Sequence, residues 1–159
     1  MPAPIAVPET GWVTANPFPN SPRGTFLRPD QDDDRLRVAY FRKPDAGTLY
    51  ARVWFGPLAL GPPGHVHGGA MAAVLDEAMG AVCWMNGHQV VAAQISITFV
   101  GMLPVGTETT VEAWIDKIDG RKVSLQAHMK NPSGQIVSEG QGLFVVLKDE
   151  MLKSLDGLR

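Results

Sequence analysis

The chain has 159 residues, of which 45% are hydrophobic and 19% charged, with a formal net charge of −2; this fits one folded domain with a sizeable core. Its 14 basic residues are scattered among 16 acidic ones, which argues against the clustered cationic face of a nucleic-acid binder. The single cysteine, Cys83, cannot close an internal disulfide, no run reaches the ~20 apolar residues of a membrane span, and the start lacks a signal-peptide pattern, so a soluble cytoplasmic protein is expected.

Pro2, Pro4, Pro8, Pro17, Pro19, Pro22 and Pro29 make residues 1–30 an extended arm, expected to lie across the surface of a single domain at 31–159. The acidic run at 31–34 reads as a solvated turn. Residues 36–41 and 48–55 read as two strands joined by a turn at 44–47. A loop follows at 56–64, with three prolines and three glycines. It stops at His65-Val-His-Gly-Gly69, and residues 70–85 are rich in Ala, Met and Leu, without proline, up to Asn86-Gly87. That composition predicts a helix about 25 Å long. It is apolar nearly all round and is therefore expected to be buried under a sheet.

The remainder reads as β-structure. Strands are predicted at 90–99, 107–118, 122–130 and 135–148, with hairpin turns at Asp119-Gly120 and at 131–134. In the second and third of these, apolar and polar residues alternate, which implies one face on the helix and one more polar face. A final helical turn is predicted after Asp149. Two strands, one buried helix and four antiparallel strands form an α+β architecture with the sheet curled around the helix.

Two features carry chemistry. His67-Gly68-Gly69 opens the helix, where the leading N–H groups have no intrahelical partner and sit at the positive end of the dipole. Such amides can polarise a carbonyl oxygen that is gaining charge. Asp76 lies two turns further on among Ala72, Ala73, Met79 and Gly80, and a carboxylate in so apolar a helix is costly to bury without a purpose. Alone, a Gly-Gly is a tight turn and a helical Asp is a surface residue. Glu77 is the alternative carboxylate, since one residue turns ~100° and only one of the pair can face a site. His65 and His67 lack a third ligand for a zinc site. Cys83 has no evident base. Trp54, Trp84 and Trp114 read as core or interface, with Trp84 and Met85 as candidate walls of a tunnel near the helix end.

The stretch from His65 to Gly80 resembles the signature of hotdog-fold thioesterases of the PaaI and THEM type, in which a His-Gly-Gly opens the central helix and an Asp follows nine positions after the His. Residues 90–106 resemble that family's next strand, and Asp116-Lys-Ile-Asp-Gly-Arg-Lys122 its next hairpin. The resemblance implies a hotdog fold, acyl-CoA as substrate, no metal or cofactor, and a homodimer or dimer of dimers with sheets paired edge to edge. It implies that the Gly68 N–H polarises the thioester while Asp76 of the facing subunit attacks or activates water. His67, Gly69, Ala92 and Gln94 are the expected substrate-binding residues. The chain departs from the pattern at Ala92, where relatives often carry Thr or Ser, and at Gly61, where some carry Asn. Gln94 or Ser96 is the expected replacement, and strand register decides which faces the site. A hotdog hydratase or dehydratase and a non-catalytic acyl-CoA-binding domain are the competing readings.

Overall fold

A computed structural model of the chain describes residues 8–19, 25–27, 34–44 and 47–156. Residues 31–33 of the acidic run, much of the proline-rich arm and residues 45–46 of the first turn lie outside the described residues. Seven strands make one antiparallel sheet: β1 (Val13–Thr14), β2 (Leu36–Arg42), β3 (Leu49–Phe55), β4 (Val90–Phe99), β5 (Glu108–Asp119), β6 (Lys122–Lys130) and β7 (Ile136–Val146). Helix α1 (Gly68–Met85) packs across the concave face, and a short helix α2 (Asp149–Asp156) ends the described chain.

The order across the sheet is β1-β2-β3-β5-β6-β7-β4. The strand that follows α1 therefore does not pair with β5, the next strand in the chain. It lies at the far edge beside β7, and β5 pairs with β3 instead. Residues 100–107 carry the chain back across the mouth of the domain, where Val66 donates to the Leu103 carbonyl and Val105 to that of Gly64.

Alternation places the core. Thr109, Val111 and Ala113 of β5 and Val123, Leu125, Ala127 and Met129 of β6 are buried, while their neighbours are not. Gly120 takes φ 58° in the turn between them, a conformation that costs glycine little. In α1, Met71, Val74, Leu75, Ala78, Met79, Ala81, Val82 and Cys83 are buried. Each larger side chain among them contributes about 1.5–3 kcal/mol on leaving water. The helix is not wrapped on all sides, however: Ala72, Ala73, Asp76, Glu77 and Gly80 form a half-exposed stripe.

The two sheet edges differ. The β2 edge is covered by the N-terminal segment, with Val13 opposite Arg42 and Thr14 opposite Phe41. Trp12 stacks on Tyr50 at 4.7 Å between centroids and meets Phe41 at 5.5 Å, and Leu27 is buried. The β4 edge has no strand beyond it among the described residues. It exposes Val91, Ile95 and Phe99, continued by Val100 and Met102. No described helix is long and apolar enough to cross a membrane.

Candidate active site

The entrance to α1 is fixed by the loop before it. The His67 N–H donates to the Ala59 carbonyl at 2.7 Å, which presses Gly61 against His67. A Cβ on Gly61 would stand 2.7 Å from the His67 Cα, so the loop passes there only as glycine. That accounts for the missing Asn: any side chain at this position collides with backbone.

His67 then caps the helix. Its Nδ1 accepts the Gly69 N–H at 2.8 Å, which places the neutral ring's proton on Nε2. The Ala70 and Met71 amides both donate to the His67 carbonyl. Of the first four amides of α1, only that of Gly68 has no acceptor among the described residues. Gly69, expected to bind substrate, has its N–H occupied by His67 instead. The ring of Phe99 covers Gly68, 3.3 Å from where a Cβ would be.

Residues four apart share a helix face, so Gly68, Ala72, Asp76 and Gly80 form one row. Its two ends touch β4 and β7: Gly68 meets Phe99, and Gly80 meets Phe144. The row thus runs along the β4 side of the helix. Asp76 lies midway in it, half-buried. Burial raises its pKa, and no described residue donates a hydrogen bond to it to offset this. Glu77 has turned to the other side, where the Tyr40 hydroxyl of β2 donates to its carboxylate. Burial raises the Glu77 pKa despite this hydrogen bond, and the Asp76 charge adds to the rise. The two adjacent carboxylates therefore differ in kind. Glu77 is held within the fold, and Asp76 is left available.

Strand β4 presents Ala92 toward the helix, opposite the inward-facing Phe144. Ile97 also points inward, its Cδ1 lying with Met79 and Leu75 beside Gly140. Between Ala92 and Gln94 the register shifts by a bulge, and a one-residue slip sends the following side chains to the opposite face. Gln94 and Ser96 consequently line a depression of about 350 Å³ with Gln126 and Gln141 on the outer face of the sheet. Neither Gln94 nor Ser96, expected to replace the missing hydroxyl, lies on the Asp76 side of its own chain. Ala92 does, without a polar group.

The His65 Nδ1 lies 2.8 Å from the Pro63 carbonyl, and among the described residues no three His, Cys, Asp or Glu side chains converge as a metal site would require. Burial pushes the Cys83 thiol up to about 12, far from a nucleophilic thiolate. Trp84 is tied by its Nε1–H to the Val90 carbonyl and packs on Phe18. Sequence reasoning missed Tyr40 and Phe144, which read as ordinary strand residues. Only Gly140 and Gly142, two apart on one face of β7, signal a close approach there.

The family model described as the thioesterase superfamily matches residues 63–138. Over 126 residues the chain is 30% identical to the acyl-coenzyme A thioesterase THEM4 of Bos taurus, covering 79% of this chain and 52% of that protein. The chain thus spans about half the length of that relative. A crystal structure of a thioesterase superfamily protein superposes with a TM-score of 0.65 at 30% identity, covering 69% of this chain and 53% of the other. A hypothetical thioesterase of Streptococcus pneumoniae, solved with coenzyme A, superposes at 0.64 with 18% identity over 71% of this chain and 89% of its own. The sheet that holds the helix and these superpositions give the chain a hotdog fold, and over residues 63–138 it is similar to the thioesterase superfamily.

Proposed function

We propose that the protein is an acyl-CoA thioesterase that releases a free acid and CoA, and that it works as a homodimer whose subunits each supply half of a site. One relationship carries this reading. The unaccepted Gly68 N–H and the available Asp76 carboxylate share a helix row, eight residues and so about 12 Å apart along the axis. A thioester carbonyl and its attacking water lie only ~3 Å from each of their partners. The two groups of one chain therefore cannot serve one thioester. Two α1 helices running antiparallel, side by side, bring Asp76 of one chain opposite Gly68 of the other.

The β4 edge supports such pairing. It is ten residues long, bonded on one side only among the described residues, and lined by Val91 and Phe99, each about half exposed. An exposed apolar edge of this length is an unstable surface unless another strand covers it. The opposite edge is already covered by β1 and Trp12. A symmetric pair joined through β4 closes both free edges at once.

In the dimer the Gly68 amide polarises the thioester oxygen. The Asp76 carboxylate, with no partner among the described residues of its own chain, takes a proton from water as that water attacks, or attacks the carbonyl itself. CoA leaves as the thiol. The reduced, buried Cys83 suits the cytoplasmic setting that belongs to this reading.

The test is a panel of acyl-CoAs with a thiol-trapping dye. The parent is expected to release thiol and Asp76→Ala to release almost none; equal rates would remove Asp76 from the mechanism. The inward Ala92, lacking a hydroxyl, favours a second reading as an acyl-CoA-binding domain. Tight binding with no thiol release from the parent would establish that one.

A further inference from the structure

Asp76 shares the half-buried stripe of α1 with Ala72, Ala73 and Gly80, and α1 packs against β4, whose inward face there runs from Ala92 to Ile97. All of these neighbours are small or apolar, and all are partly open in the single chain. Beneath that stripe, Gly140 and Gly142 leave a furrow in β7 under the helix. Met79 fills that furrow. Its Cε lies 3.3 Å from where a Cβ on Gly140 would stand, and its Sδ 3.1 Å from one on Gly142.

The end beyond Asp76 is closed as well. The Phe144 ring leans along its own strand until it stands 2.6 Å from where a Gly142 Cβ would be, a position only glycine leaves open. Its far edge reaches the helix, 3.4 Å from a Cβ on Gly80. Phe144 is 3% exposed and Met79 is fully buried. Both are held by close-packed neighbours and cannot swing aside without opening the core.

We infer that Phe144 is the end wall of the acyl site and restricts the substrate to CoA thioesters of short-chain or single-ring acids. The inference rests on the thioesterase reading for the position of the reacting carbonyl. From Asp76 to Gly80 is one helical turn, about 6 Å, which admits roughly four to six carbons before the ring is met. Each carbon accommodated improves apparent affinity about threefold to fourfold, and the first that meets the wall forfeits that gain.

The experiment uses the full chain and two series of CoA derivatives of 2 to about 16 carbons: thioesters read by thiol release, and non-hydrolysable S-alkyl thioethers read by calorimetric affinity. Parent kcat/KM and affinity are expected to climb to about six carbons and then drop at least tenfold. Phe144→Ala is expected to move the break outward by several carbons. Phe144→Leu, which keeps the core largely filled, moves it by fewer. Gly80→Ala, whose new methyl meets the ring at ordinary contact distance, leaves the break in place or shortens it. If the parent handles chains of 12 or more carbons as well as it handles six, Phe144 is not an end wall, whether or not the variants fold. If no thioester is cleaved but thioether affinity still breaks near six carbons, the hydrolase reading fails and the end wall stands. Absence of binding at every length overturns both.

Discussion

The Nδ1 of His67 accepts the amide of Gly69 at 2.8 Å, and this leaves the amide of Gly68 as the open donor at the head of α1. A cap of this kind contributes about 0.5–2 kcal/mol to a helix end. His67→Ala is expected to lower stability by an amount in that range. It is also expected to lower kcat more than it raises KM, because the Gly69 amide is released and the helix start loosens. His67→Asn, whose side-chain oxygen can accept the same amide, is expected to restore most of the loss. Thermal unfolding together with steady-state kinetics on the three proteins checks this. Full activity in His67→Ala would show that the cap has no part in placing Gly68.

Asp76 and folding pull in opposite directions. Burial raises the pKa of the folded-state carboxyl above its ordinary value of 3.8. The folded chain therefore holds that proton more tightly than the unfolded chain, and this group's contribution to stability falls as pH rises through the raised pKa. Asp76→Asn is expected to melt higher than the parent at neutral pH, with the difference shrinking as pH is lowered. The same substitution is expected to cost about 10²–10⁴ in kcat. The acid limb of the parent's rate profile is expected above 3.8, since the ionised form does the work. Melting curves and rates across pH 4–8 check both signs.

Ala92 and Gly61 depart from the family pattern for different physical reasons. Ala92 faces the helix beside Phe144 on an open strand edge, so a hydroxyl fits there. Ala92→Ser is expected to raise kcat by about twofold to tenfold, the value of one added hydrogen bond to the attacking water. Gly61 is pressed on the His67 backbone, with 2.7 Å left for a Cβ. Gly61→Asn is therefore expected to destabilise by about 1–3 kcal/mol and to add no activity. Kinetics and melting of the two single variants separate these cases.

Local pattern made much of this visible before any coordinates. Residues 90–99 are bounded by Gln89 and a Val-Gly step and form β4 over that span. The α1 stop at Asn86 follows from a side chain whose Nδ2 bonds both Val82 and Gly47 carbonyls. Sheet order was not legible, because nothing local says that residues 100–107 cross to another neighbour. The bulge after Ala92 was equally hidden. Ala92 and Ala93 carry no turn signal, yet one extra residue there decides that Gln94 faces away from the helix. Residue chemistry alone leaves Glu77 and Asp76 as alternatives and the resemblance favours Asp76; the partner that separates them physically, Tyr40, is 37 residues from Glu77.

The most direct test is subunit complementation. Gly68→Pro removes the amide hydrogen at the first helical position, where proline is well tolerated, and His67 before it already has the extended backbone that proline requires (φ −62°, ψ 133°). Gly68→Pro and Asp76→Asn are each expected to be folded and nearly inactive as separate homodimers. When the two are unfolded together and refolded as a mixture, half of the dimers carry one intact Asp76 opposite one intact Gly68, and about a quarter of parental activity is expected to return. A mixture no more active than its components would mean that both groups act within one chain, and the shared site would be ruled out.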